Sequence, residues 1–182
     1  MTNNKARFST RDLVVTAIFA AALCVVSPFT IPIGPVPISL ATLMIYITAG
    51  VLGAQKATVA VALYVALGAF GLPVFTNFGG GLPKIVGATG GYIVGYVPLA
   101  LLCGLPTSLA PKKFFNVLFP VAAVVGTAVL YALGTAWFVF STGNTLAFAL
   151  SVCVVPFIAG DLAKIVVAQL VSPVISRQAR LR

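Results

Sequence analysis

Six apolar stretches alternate with shorter segments rich in proline, glycine or basic residues along this 182-residue chain. They run at about 12–28, 38–53, 56–70, 89–105, 115–140 and 145–172. Each reads as a membrane-spanning helix. The pattern predicts one all-α integral membrane domain over residues 1–182, with six transmembrane helices and long external connections that close a ligand pocket. The second and third stretches are short, so they either sit at an angle that hides their ends or join polar loops early. The last covers ~28 residues, about 42 Å at 1.5 Å per residue, and must tilt, bend or project. Pro156 is the natural bend, because proline removes a backbone donor.

Composition sharpens this picture. Charged residues make up 7% of the chain and hydrophobic ones 60%, with a mean hydropathy of +1.14. An ordinary soluble domain carries about 25% charged residues, and no polar stretch here is long enough to build a separate soluble module. The first apolar run resembles the other five, so it reads as a retained helix rather than a cleaved leader. Cys24, Cys103 and Cys153 are isolated within apolar runs, and there is no histidine. Neither a zinc site nor a disulfide framework is indicated, and the cysteines read as small hydrophobes.

The net charge of +9 would suit nucleic acid if it formed a patch, but its distribution follows membrane topology instead. Lys5, Arg7 and Arg11 precede the first span, Lys56 lies between the second and third, Lys112 and Lys113 between the fourth and fifth, and Arg177, Arg180 and Arg182 follow the sixth. In an alternating six-span chain these nine of eleven basic residues share one side, which predicts both termini in the cytoplasm.

Two external connections are unlike ordinary loops. Phe29 to Pro37 reads FTIPIGPVP, and Gly71 to Thr89 reads GLPVFTNFGGGLPKIVGAT. Both are too apolar to lie free in water. They are expected to fold back over the outer mouth of the bundle, where irregular backbone can line a cavity; connectors resting at the interface are the plainer alternative.

Candidate chemistry centres on Asp161 and Lys164, inside the last apolar stretch of a chain with only two acidic residues. A single Asp or Lys at mid-helix in hydrocarbon costs about 2.5–3.5 kcal/mol on insertion scales. The i, i+3 spacing puts both on one helix face, continued by Phe157 and Ala168. A carboxylate only accepts hydrogen bonds and an ammonium only donates them, so the pair could hold a small molecule bearing both N–H donors and a carbonyl or carboxylate. An internal salt bridge that fixes helix packing is the competing reading. Gly79, Gly80 and Gly81, then Gly87, Gly90 and Gly91, permit close backbone approach to a ligand or to a neighbouring helix. Asn77, Tyr92 and Tyr96 add donors and aromatic faces in the same outer region, whereas Trp137 reads as an interfacial anchor. In the first span, Ala17 and Ala21, with Cys24 on the same face, form a small-residue stripe suited to packing within the chain or to docking another subunit.

Three segments carry a specific resemblance: IPIGPVPISLAT at 31–42, GAFGLPVFTNFGGGLPKIVGATGGY at 68–92 and PFIAGDLAK at 156–164. In order, spacing and six-span topology the chain resembles the BioY family from about Arg11 to Ser172. These proteins are the substrate-binding membrane components of biotin transporters of the energy-coupling-factor (ECF) type. The resemblance implies a bacterial inner-membrane S component that binds biotin, its transported substrate, and has no resident cofactor. It implies that Asp161 receives the ureido N–H groups, and that Lys164 holds the ureido carbonyl or the carboxylate, with Lys84 a second carboxylate candidate. Tyr92, Asn77 and the Gly79–Gly80 backbone would line the pocket. Ala17 and Ala21 match the AxxxA pattern by which such components contact a transmembrane coupling subunit, itself driven by ABC-type ATPase subunits. Two departures are visible: GATGGY has Ala88 where the family usually has proline, and the glycine run is uninterrupted, with Asn77 just before it. The expected partners are thus biotin, membrane lipid and those subunits, and not nucleic acid. A component for another vitamin, a structural subunit and an intramembrane enzyme are the alternatives; the last lacks a paired nucleophile and base.

Overall fold

The computed structural model describes residues 9–31 and 38–178. Lys5, Arg7, Arg180, Arg182 and the centre of the proline-rich connection, 32–37, lie outside the described residues. Among the described residues, eight α-helices follow one another: α1 (Thr10–Val26), α2 (Ala41–Leu52), α3 (Ala54–Ala69), α4 (Leu82–Val86), α5 (Gly90–Leu109), α6 (Phe115–Thr142), α7 (Leu146–Cys153) and α8 (Val155–Gln178). A two-stranded antiparallel ribbon, β1 (Thr30–Ile31) and β2 (Ile38–Ser39), pairs Thr30 with Ser39 and precedes α2.

Among the described residues, three segments are long and apolar enough to cross a membrane unaided: α5, α6 and the α7–α8 pair from Leu146 to Gln178. The helices α1, α2 and α3 have 17, 12 and 16 residues. At 1.5 Å per residue they reach about 25, 18 and 24 Å against a hydrocarbon core of about 30 Å. α2 is short because its chain enters through the β1–β2 ribbon, and because Gly53 turns it directly into α3 at φ 77°, a left-handed backbone that favours glycine. A Cβ at Gly53 would also meet the Ser108 hydroxyl at 2.5 Å. That hydroxyl accepts the Ala54 N–H at 2.8 Å, closing the start of α3.

α5 and α6 form the central hairpin, with α2 and α3 against α5, α1 against α2 and α3, and α8 against α2 and α6. Tyr46, Tyr64, Phe75, Phe119, Leu99 and Leu130 are fully buried at the centre. The outer faces are also apolar: Ile18, Val25, Val121, Val155 and Leu170 are each more than half exposed. Such a belt is untenable in water and ordinary in lipid.

The bend expected at Pro156 lies slightly earlier. α7 ends at Cys153, the chain turns at its cap Val154 (φ −123°, ψ −58°), and Pro156 falls in the first turn of α8, where its missing N–H removes no helical bond. α8 then continues to Gln178, beyond the predicted end at 172, burying Phe157, Asp161, Ile165, Ala168, Ser172 and Ser176 along one stripe.

The segment 71–89 is not simply irregular. It contains a 3-10 turn at Thr76–Phe78 and the short helix α4. These fold over the end of the bundle remote from Lys56, Lys113 and Arg177. The Asn77 N–H reaches the Pro28 carbonyl, the Thr30 hydroxyl donates to Asn77 Oδ1, and Phe29 meets Phe78 edge-on at 5.7 Å. The Gly81 N–H bonds the Gly68 carbonyl at 2.7 Å, and Trp137 donates to the Gly87 carbonyl at 2.9 Å. Trp137 therefore ties this cap to α6.

Candidate ligand site in the bundle

Asp161 sits in the second turn of α8, and the 157–161–165–168 periodicity turns it into the bundle, where it is 4% exposed. The Lys164 ammonium lies 2.9 Å from Asp161 Oδ1. It also donates to Thr42 Oγ1 and to the Ser39 carbonyl, each at 2.9 Å. The Thr42 hydroxyl donates to the same Asp161 oxygen at 3.1 Å. Tyr131, reaching from α6, donates to Asp161 Oδ2 at 2.7 Å. Both buried charges are thus paired and hydrogen-bonded, the condition under which a membrane interior tolerates them.

This network forms one wall of a cavity of about 50 Å³ under the cap. Ser39 and Thr42 contribute from β2 and the start of α2, Thr76 and Thr89 from the cap, Tyr92, Ile93 and Tyr96 from α5, Leu130 and Tyr131 from α6, and Cys153 and Phe157 from the α7–α8 junction. Helix breaks make the wall: α2 starts there, α5 starts there, and α7 gives way to α8 there.

Of the sequence-predicted residues, Asp161, Lys164, Tyr92, Tyr96 and Phe157 line this cavity. The Tyr92 hydroxyl donates to the Cys153 carbonyl at 3.2 Å, so Tyr92 presents its ring to the site. That ring rests on Gly134, where an added Cβ would stand 2.4 Å from it. Asn77, Gly79, Gly80 and Lys84 do not line the cavity; they belong to the cap above it. Asn77 has a left-handed backbone and spends its carbonyl on Thr30. The Lys84 stem packs over Gly79, where a Cβ would approach its Cε at 2.6 Å, and a Cβ at Gly80 would strike the Leu72 carbonyl. Gly90 and Gly91 serve helix packing, against Trp137 and the Leu133 carbonyl. Ala17 and Ala21 are exposed; α1 packs inward through Thr16, Phe19, Ala20 and Leu23, leaving that stripe outside the bundle, while Cys24 is partly buried.

Thr42, Ser39 and Tyr131 escaped the sequence reading. Thr42 and Ser39 lie within the IPIGPVPISLAT segment, which was a usable signal. Tyr131 is one tyrosine within an apolar helix, and only the approach of α6 to α8 gives it a partner.

A BioY family model matches residues 1–181. The chain belongs to the BioY family. Among its relatives, the biotin transporter BioY of Thermotoga maritima is 43% identical over 162 residues, covering 89% of this chain and 94% of the relative. The biotin transporter BioY of Rhizobium etli is 37% identical over 89% of this chain and 91% of the relative. The crystal structure of the S-component for biotin from an ECF-type ABC transporter superposes with a TM-score of 0.81 at 29% identity, covering 100% of this chain and 95% of that one. The BioY fold is therefore an all-α membrane fold here as there, and the polar network of Asp161, Lys164, Thr42 and Tyr131 is the buried chemistry that this BioY chain carries inside it.

Proposed function

We propose that this chain is the substrate-specific component of an ECF-type biotin transporter, a membrane protein that binds biotin and does no chemistry on it. The observation that carries the reading is the placement of a buried carboxylate, ammonium and phenol at one cavity in a chain whose relatives are biotin transporters. Biotin is the transported substrate, and no resident cofactor is called for.

The ligand chemistry suits the wall. A ureido ring offers two N–H donors and one carbonyl. A carboxylate has about four lone-pair sites. In Asp161, Tyr131 takes one on Oδ2, and Thr42 and Lys164 take two on Oδ1. Two ureido N–H groups need two sites, so one present donor has to yield. Lys164 is the one suited to do so, because its flexible stem can swing the ammonium from Asp161 toward the ureido carbonyl or the valerate carboxylate while it keeps Thr42 or Ser39. Lys84 on the cap is the second candidate for the carboxylate. Tyr92 supplies an aromatic wall, and Asn77, Gly79 and Gly80 form the closure above.

A cavity of about 50 Å³ is well below the ~300–1,000 Å³ of small-molecule sites. Biotin binding therefore requires the cavity to enlarge. The cap is held on the bundle by hydrogen bonds to Pro28, Thr30, Gly68 and Trp137 and by the Phe75 ring buried against Tyr64.

The outward stripe of Ala17 and Ala21 on α1 is the docking surface for a transmembrane coupling subunit, which links the chain to ABC-type ATPases. The excess of Lys and Arg at one end supports insertion in the bacterial inner membrane with both termini cytoplasmic. Titration of the purified chain with biotin and with a panel of other vitamins tests the reading. Saturable, biotin-selective binding is expected; the absence of saturable biotin binding would overturn it.

A further inference from the structure

Most hydroxyls in the cavity wall already have partners. Those of Tyr131 and Thr42 donate to Asp161, that of Tyr92 to the Cys153 carbonyl, and that of Ser39 to the Ser27 carbonyl at 3.0 Å. Thr76 and Thr89 lie at the cap end and are partly exposed. Tyr96 is different. It lines the cavity and is only 7% exposed, yet its hydroxyl has no hydrogen-bond partner among the described residues. A buried hydroxyl left unpaired costs free energy, so one that persists calls for a partner. The side-chain oxygens that are both unpaired and fully sealed are, among the described residues, those of Ser27 and Ser176. The Tyr96 hydroxyl is therefore not sealed in the core; it opens on the cavity that its residue lines.

Its depth matches that of the carboxylate. Tyr96 stands six residues after Gly90, where α5 starts, and Asp161 six residues after Val155, where α8 starts. Both helices start at the cap end, so at 1.5 Å per residue each side chain is about 9 Å below its helix start. The Tyr96 ring is held at that level beside Tyr64, with centroids 6.4 Å apart.

We propose that the Tyr96 hydroxyl is a direct ligand contact, donating to the ureido carbonyl oxygen of biotin while Asp161 receives the N–H side of the same ring. The assignment rests on the biotin reading above and gives the ring oxygen a partner on α5. Asp161 cannot serve that oxygen, because a carboxylate only accepts. Lys164 is shared among Asp161, Thr42 and the Ser39 carbonyl. A carbonyl has two lone pairs, so Tyr96 takes one and leaves the other open to Lys164. Tyr96 thereby selects a ring that carries an acceptor next to its donors, since a ring with donors alone would leave the hydroxyl unpaired.

The test is calorimetric titration of the full chain and its Y96F variant with biotin and with the analogue whose ureido oxygen is replaced by sulfur. Y96F should raise the biotin Kd about ten-fold, the effect of leaving a buried acceptor without its donor. The Tm of the ligand-free variant should match the parent, because the hydroxyl has no protein partner to lose. The thio analogue, a poor acceptor, should bind the parent more weakly than biotin does and change little on Y96F. An unchanged biotin Kd in Y96F overturns the proposal. So does an equal loss for both ligands, which would make Tyr96 a wall that only shapes the site, or a lower Tm without ligand, which would reveal a partner inside the protein. Equal binding of biotin and its thio analogue by the parent overturns it with no variant at all. A parent that binds no biotin defeats the transporter reading itself, whereas a parent that binds it and is matched by Y96F defeats the Tyr96 assignment alone.

Discussion

Replacing Asp161 by Asn separates a ligand site from a structural salt bridge. The substitution keeps the shape but removes the charge and turns one acceptor oxygen into a donor. Tyr131 or Thr42 then faces an N–H₂ group, and the Lys164 ammonium, with 12% of its side chain exposed, loses its carboxylate. Breaking a buried pair costs about 3–5 kcal/mol when the orphaned charge has nothing else. Lys164 keeps the Ser39 carbonyl and the Thr42 hydroxyl, each at 2.9 Å, so the expected cost is about 2–3 kcal/mol. For a chain of this size that is a fall in Tm of roughly 5–10 °C.

Affinity should fall independently. A hydrogen bond to a charged acceptor contributes about 1.5–3 kcal/mol, so losing the ureido-to-carboxylate bond should raise Kd about 10- to 150-fold. Calorimetric titration of the folded variant in detergent measures this. The double variant D161N/K164M removes the orphaned ammonium. It should recover most of the lost Tm, because replacing both members of a buried pair is often neutral, yet bind biotin no better than D161N. A folded D161N protein that binds within two-fold of the parent would refute the assignment, as would a double variant that regains affinity along with stability.

Tyr131→Phe removes only the donor to Asp161 Oδ2. With the carboxylate free to rotate, Kd should rise about ten-fold in the same titration while the apolar wall stays intact; unchanged affinity would remove Tyr131 from the site. Gly134→Ala places a Cβ 2.4 Å from the Tyr92 ring, an overpacking expected to cost about 1–3 kcal/mol and to be seen as a lower Tm together with weaker biotin binding. Ala21→Trp, on the exposed stripe of α1, should leave biotin binding and Tm unchanged but abolish co-purification with a coupling subunit; retained co-purification would place the docking surface elsewhere.

Much of the architecture was legible because the bilayer imposes strong one-dimensional rules. A backbone in hydrocarbon must satisfy its own hydrogen bonds, so long apolar runs become helices, and Lys and Arg collect on one side. Asp161 and Lys164 were legible for the same reason, as polar side chains too costly to leave in lipid. Details that depend on backbone geometry were harder to read. Pro156 marked the break in the last segment, but proline is tolerated in a first helical turn, so the chain breaks at Val154 instead. The Gly79–Gly80 backbone, expected to line the pocket, belongs to the cap above the cavity, with Gly79 under the Lys84 stem and Gly80 against the Leu72 carbonyl.

The sequence by itself determined an all-α membrane chain resembling the BioY family with an acid and a base on one face of its last helix, since hydropathy, charge placement and local motifs are properties of residues close together in the chain. Only the tertiary structure decided what surrounds that pair. Thr42 and Lys164 are joined across 122 positions and Tyr131 and Asp161 across 30, and nothing local in an apolar helix marks which hydroxyl will face which carboxylate. It also decided which small residues are inside: Ala20 is buried against the core while Ala17 and Ala21 look outward. When both faces of a helix are apolar, hydrophobicity no longer distinguishes inside from outside. The fit between neighbouring helices does.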